Sequence, residues 1–240
     1  MPQGNAQLVL ISGESASGKS ASLREIPNQS RWVYMNTESG KALPFKNDFV
    51  SAVVTDPHQI QQGFDMVTGS PDFDGVIVDS ITFMMDMFES QYVIPAKDSR
   101  AAWGDYAQFF KNVMQNLVAN CDKHVIMLGH TKKEQDAQLV DRVYVPVKGS
   151  LGNNGIESYF STVVSTKRIP LADLKDMDPA LLRITEDDEI LGFKYVFQTR
   201  LTKGTVGERI RGPMGLFNKN QTFMDNDAAL LIDHMVKYYS

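Results

Sequence analysis

The 240-residue chain predicts one α/β domain with a mainly parallel central sheet covered by helices on both faces. Three observations carry that expectation. Apolar, β-rich runs alternate with helical periods along the chain. The run "GVIVDS", Gly75–Ser80, is apolar without polar alternation, as strands buried on both faces tend to be. A glycine-rich turn, "GESASGKS", follows the first apolar run and opens a predicted helix.

The elements follow in order. Gln7–Ile11 reads as a buried strand, and Gly18–Glu25 as a short helix stopped by Pro27, which cannot continue an interior helical turn. "RWVYMNT", Arg31–Thr37, is a second strand rich in β-branched and aromatic residues. "FVSAVVT" offers a third, followed by a polar helix over Pro57–Thr68 and the strand at Gly75–Ser80. Over Trp103–Val118 the residues Trp103, Tyr106, Phe110, Val113, Met114 and Leu117 share one helical face. "HVIMLGH" is the next strand. Thr131–Ser158 is polar and glycine-dotted, a long connection of the kind that is functional or disordered. "YFSTVVSTKRI" and "GFKYVFQTRLTKG" read as late strands, and "NDAALLIDHMVKYY" closes as a helix. There is no internal repeat, low-complexity tract or linker, so residues 1–240 are expected to form a single domain.

Composition narrows the function. The chain is 42% apolar and 22% charged. No apolar run approaches bilayer-spanning length and no basic-then-apolar leader opens it, so a cytoplasmic protein without membrane partners is expected. Cys121 is the single cysteine, which excludes an internal disulfide and a cysteine-rich metal site, and the four histidines lack metal-ligand spacing. A net charge of −5 argues against a strongly basic nucleic-acid protein. Charge is uneven, however: Asp173–Glu189 is acidic and Lys194–Lys219 basic.

The chemistry centres on Gly13–Ser20, which fits GxxxxGK[ST]. Glycines let the backbone turn its N–H groups toward phosphate. Lys19 can reach the β- and γ-phosphates, Ser20 can hold Mg²⁺, and the helix start adds its positive end. Gly13, Glu14, Ser15, Ala16, Ser17, Gly18, Lys19, Ser20 and Ala21 are thus the expected nucleotide cradle, with Glu14 and the small residues behind it as filler. Asp79, at the tip of its apolar strand, is placed to hold hydrated Mg²⁺. Hydrolysis also needs a group that orients water. Glu38, just past the second strand, falls at the same carboxyl edge of a parallel sheet, where ligands of such sheets bind.

These residues carry a resemblance. "VYMNTESG" is similar to the strand that ends in the catalytic glutamate of RecA-type recombinases, and "FDGVIVDSIT" resembles their magnesium-binding strand. "HVIMLGH" resembles the strand ending in a polar sensor of the γ-phosphate, here His130. "VKGSLGNNGIESYFSTVVSTKRI" resembles the end of their second DNA-binding loop. "VFQTRLTKGTVGERIRGPMGLF" resembles late strands whose basic residues reach a neighbouring subunit's nucleotide. The resemblance implies a RecA-like P-loop NTPase core with late antiparallel strands, binding ATP and Mg²⁺ and working as a ring or filament. With the loop a dozen residues from Met1 and no large domain expected at either end, the chain is similar to small bacteriophage ATPases of single-strand annealing and recombination. That implies single-stranded DNA, and a recombination or single-strand-binding protein, as partners. Histidine stands where that family's sensor is usually glutamine.

A mobile DNA-binding loop is accordingly expected at residues 131–158. Lys132, Lys133, Arg142 and Lys148 barely outnumber Glu134, Asp136 and Asp141 there, which is thin for phosphate-backbone binding. Tyr144 could stack on a base. Lys203, with Arg200 and Arg209 behind it, is the expected residue acting on the next subunit's site. Two other functions fit the loop: a binding switch in which ATP sets conformation with little hydrolysis, and a small-molecule phosphoryl-transfer enzyme. The second would want an arginine-rich lid, and Thr131–Ser158 has one arginine.

Overall fold

The computed structural model describes residues 7–240. Eight strands form one sheet. Six lie parallel: β1 (Leu8–Gly13), β2 (Trp32–Asn36), β3 (Val50–Val53), β4 (Gly75–Asp79), β5 (His124–His130) and β8 (Thr162–Pro170). Two more, β9 (Phe193–Gln198) and β10 (Phe223–Asp225), add antiparallel at one edge. The order is β10-β9-β8-β1-β5-β4-β2-β3, so the mainly parallel sheet with late antiparallel strands is as the sequence predicts.

Period-two alternation along each central strand sends neighbouring side chains to opposite faces. Leu8, Leu10, Val33, Met35, Val76, Val78, Val125 and Met127 enter one core, packed under α1 (Ile60–Val67), α2 (Ile81–Phe88) and α3 (Ser99–Asn112). Val9, Ile11, Trp32, Tyr34, Ile77, Ile126 and Leu128 enter the other, against Leu23, Ile26 and the C-terminal helix over Ala228–Tyr239. β1, β2 and β4 are therefore buried throughout. β3 is fully exposed because it forms the far edge.

α3 starts where Asp98 accepts hydrogen bonds from the N–H groups of Arg100 and Ala101, and it continues as a wider turn over Val113–Val118. Tyr106, Phe110, Val113 and Met114 of its predicted face are buried, with Trp103 and Leu117 at the margin of the same core.

Three expectations are corrected. The Gly18–Glu25 helix is only a four-residue 3₁₀ turn, Ser20–Leu23. Ser22 Oγ bonds back to the carbonyl of Lys19 at 2.6 Å, and this local bond competes with helix propagation. The connection Thr131–Ser158 is structured. It holds a two-stranded hairpin, β6 (Lys132–Gln135) and β7 (Asp141–Tyr144), then the short helix α4 (Ser150–Asn154). The last predicted strand stops at Gln198, where Gln198 Nε2 turns to the carbonyl of Arg200 and the hydroxyl of Thr205. The acidic stretch contributes α5 (Glu186–Leu191), started by a reciprocal Thr185–Asp188 cap, and Ala228–Tyr239 is accordingly α6. No helix among the described residues is long and apolar enough to cross a membrane.

Candidate functional site

The carboxyl ends of β1, β2, β4 and β5 open into a cleft of about 820 Å³. The loop Gly13–Ser20 forms its floor. Gly13 and Gly18 are required there for different reasons. A Cβ on Gly13 would collide with Thr166 and Ser17, and Gly18 adopts φ +99°. Glu14, Ser15 and Ala16 form the exposed tip of the loop. Ser17 is buried, its hydroxyl shared between the Glu14 carbonyl and Thr166.

Lys19 is 5% exposed, and its Nζ donates to the carbonyls of Gly13 (3.0 Å) and Glu14 (2.7 Å). Burial lowers its pKa to about 8, against the opposing pull of Asp79 and Glu38. An anion arriving beside Lys19 would raise that value again.

Ser20 Oγ donates to Asp79 Oδ2 at 2.9 Å, which unites the two expected metal ligands. The Tyr34 hydroxyl donates to the same oxygen at 2.8 Å. Burial dominates both partners, raising the Asp79 carboxyl above its ordinary range and pushing the Tyr34 phenol far above its own. Asp79 Oδ1 is buried without a hydrogen-bond partner. One free carboxylate oxygen and one hydroxyl are hard donors of the kind Mg²⁺ takes when it keeps several waters and a phosphate, so the residues fit that ion.

Glu38 lies just past β2 and His130 ends β5, with β4 between them in the sheet. Their side chains meet above Asp79's strand: His130 Nε2 donates to Glu38 Oε1 at 2.8 Å. Lys41 reaches Glu38 Oε2 at 3.3 Å. These partners, His130 foremost, hold the Glu38 carboxyl at about 2 despite its burial. The His130 ring packs edge-on against Phe83, and its backbone N–H bonds the Thr82 hydroxyl.

Gly13, Lys19, Ser20, Glu38, Asp79 and His130 are thus gathered at one sheet edge. Lys203 is not among them. It opens an exposed turn, Lys203–Thr205, outside the cleft. Arg200 bonds the Phe217 carbonyl. Arg209 pairs with buried Glu157 at 2.8 Å and lies over the Tyr144 ring, 5.2 Å from its centroid.

The basic residues of the hairpin region are each matched within the chain: Lys132 with Glu134, Lys133 with Asp141, Arg142 with Asp136, Lys148 with Glu89. Glu157 adds a fourth acid to Thr131–Ser158, so the segment has no basic surplus. Tyr144 also donates to Glu134 at 2.6 Å. Sequence reasoning missed Tyr34 and Lys41, and it missed the far wall of the cleft, which includes Tyr195 and Asn226. Lys41 lies only three residues from Glu38, within reach of a local reading, whereas the others depend on which strands become neighbours.

A family model described as AAA domain matches residues 5–181. That is most of the chain, so the chain belongs to this family of P-loop ATPase domains. No curated protein matches the sequence.

Proposed function

We propose that this AAA-family chain hydrolyses ATP in the cleft and uses the cycle to act on single-stranded DNA in recombination or annealing. The observation that carries the enzymatic half is the convergence of Lys19, the Ser20–Asp79 pair and Glu38 in one cavity. Lys19 binds the β- and γ-phosphates. Ser20 and Asp79 would hold Mg²⁺, which supplies charge neutralisation on the phosphates when bound. Glu38, ionised throughout the neutral range, orients the attacking water and accepts its proton. His130, bonded to Glu38 and preceding the hairpin, relays the state of the γ-phosphate to residues 131–158.

The DNA half rests on the resemblance to RecA-type recombinases, not on charge, since the hairpin's bases are already paired. An oligomer in which Lys203 completes the neighbour's site belongs to the same reading. So does a recombination or single-strand-binding protein as a further partner.

One observation favours a second reading. Glu38 is engaged by His130 and Lys41, as expected of a switch that binds ATP and hydrolyses it little. Phosphate release by wild type and Glu38→Gln, with and without single-stranded DNA, separates the two. An enzyme loses about 10²- to 10³-fold of its turnover in the variant, keeps nucleotide, and is faster with DNA. Equal turnover in the two proteins sinks the role of Glu38. A rate indifferent to DNA, with DNA retention indifferent to ATP, sinks the recombination reading.

A further inference from the structure

Of the lysines that line the cleft among the described residues, Lys19, Lys41 and Lys194, only Lys41 is loosely held. Lys19 is buried against the Gly13 and Glu14 carbonyls. Lys194 is clamped between Asp188 at 2.8 Å and Asp225 at 3.3 Å. Lys41 meets one carboxylate oxygen, Glu38 Oε2, at 3.3 Å, and its side chain is 71% exposed. A single long contact on an exposed amine is weak. The amine rides on a flexible four-carbon stem, so it can change partners without moving the backbone.

The backbone beneath Lys41 is fixed. The Glu38 N–H donates to Asn36 Oδ1, and Asn36 Nδ2 donates to the Lys41 carbonyl, both at 2.9 Å. The Lys41 N–H closes the turn on the Glu38 carbonyl at 3.1 Å. Buried Asn36 thereby ties both residues to the end of β2, where they line the cleft with Lys19 and Asp79. The two oxygens of Glu38 are divided between unlike partners. Oε1 takes His130, a strand-end ring packed on Phe83, and Oε2 takes the exposed Lys41 amine.

We propose that Lys41 is a γ-phosphate ligand, exchanging Glu38 Oε2 for the terminal phosphate when a triphosphate enters the cleft. The proposal rests on the reading above, in which the cleft takes the nucleotide with Lys19 at its β- and γ-phosphates. A terminal phosphate carries roughly −1.5 to −2 at pH 7, more than the Glu38 carboxylate, so the amine moves toward it. A diphosphate ends short of Lys41 and leaves its contact with Glu38 in place. The exchange uncovers Oε2 while His130 keeps Oε1 in position. In hydrolysis the water oxygen then bonds to the γ-phosphorus as the bond from phosphorus to the bridging oxygen breaks. The bridging electron pair leaves with the diphosphate, and the water's proton passes to Oε2. The chain thus supplies a cation to the γ-phosphate itself, apart from any residue of a neighbouring subunit.

The test measures, by calorimetry on the full chain, the affinities for ADP and for the non-hydrolysable imido analogue of ATP, both with Mg²⁺. Lys41→Ala should lower the triphosphate-over-diphosphate affinity ratio about tenfold, the effect of one charge-assisted hydrogen bond, and leave ADP binding within about twofold. Lys41→Arg should keep the ratio. Lys46, exposed and outside the cleft, controls for the loss of a more distant charge, and Lys46→Ala should leave the ratio unchanged. A Lys41 that only shaped the turn would weaken both nucleotides alike, or neither. Acetylation of wild type, read by mass spectrometry, locates the amine directly. The triphosphate analogue should protect Lys41 and ADP should not, with Lys46 labelled equally throughout. An unchanged ratio in Lys41→Ala, an equal fall in Lys46→Ala, or equal labelling of Lys41 with both nucleotides overturns the proposal while leaving the cleft a nucleotide site. A wild type that binds neither nucleotide overturns both.

Discussion

Replacing His130 with alanine should make the stability of this protein depend on pH in a specific way. The Glu38 side chain is 10% exposed, and its carboxyl sits at about 2 instead of 4.5, with the His130 hydrogen bond as the largest cause. At 1.36 kcal/mol per tenfold, that depression is worth roughly 3 kcal/mol. The sign follows from linkage. A carboxyl depressed in the folded state contributes its full stability above the unfolded value of 4.5, and that contribution is lost as pH falls through about 2. His130→Ala removes the main cause, while burial pushes the other way, so Glu38 should return close to its ordinary value. Urea unfolding should then show wild type about 3 kcal/mol more stable than the variant at pH 7, narrowing to about 2 kcal/mol by pH 3.5. Loss of the ring's contact with Phe83 is independent of pH, and a double-mutant cycle with Glu38→Gln removes it from the comparison. A gap that stays constant between pH 7 and 3.5 would refute the claim that the imidazole acts through the Glu38 carboxylate.

Nucleotide affinity should be flat below pH 8 and weaken about tenfold per pH unit above it, because free Lys19 titrates at about 8 and a bound triphosphate raises that value. Calorimetry in two buffers should detect proton uptake in the same range, and an affinity unchanged to pH 9.5 counts against it. Tyr34→Phe removes one of two donors to Asp79 Oδ2, and should cost about 1–3 kcal/mol by urea unfolding. The lost bond was lowering the Asp79 carboxyl, so, on the proposed ATPase reading, the acid limb of turnover should move to higher pH in that variant. Arg209→Ala leaves Glu157, 3% exposed, without its cation and should cost about 2 kcal/mol, partly regained in Arg209→Ala/Glu157→Gln. If the single variant is as stable as wild type, the pair is not structural.

The central strands were legible because burial on both faces writes an unbroken apolar run, and Asp79 was legible because a carboxylate ending such a run is chemically out of place. The α3 face was legible from its period. The hairpin was not. β6 and β7 are exposed four-residue strands of charged and polar residues, held by cross-strand pairs such as Lys133–Asp141, and they carry no apolar alternation. The expected helix after the loop shortens to a 3₁₀ turn in which the Ser22 hydroxyl bonds back to the Lys19 carbonyl. Site chemistry divides the same way. Lys19, Ser20, Asp79 and Glu38 announce themselves locally, but the Glu38–His130 bond joins residues 92 positions apart across an intervening strand. Its existence follows from strand order, which short-range pattern does not encode.

That bond also sets the terms on which loop and hairpin can influence each other. Gly13 and His130 are in register between β1 and β5, and the next residue, Thr131, donates its N–H to the Gly13 carbonyl at 3.0 Å. Lys19 Nζ donates to that same oxygen, also at 3.0 Å. One carbonyl therefore serves both the root of the hairpin and the lysine that must turn toward phosphate. A triphosphate that draws Lys19 away removes a charge-assisted partner from Gly13, and the Thr131 N–H is left as the donor that remains. Meanwhile the residue before Thr131 holds Glu38. A shift at residues 130–131 would thus act on both the phosphate loop and the glutamate. On the proposed reading, residues 130 and 131, rather than the basic residues of the hairpin, are the shortest bonded route between the phosphate loop and residues 131–158.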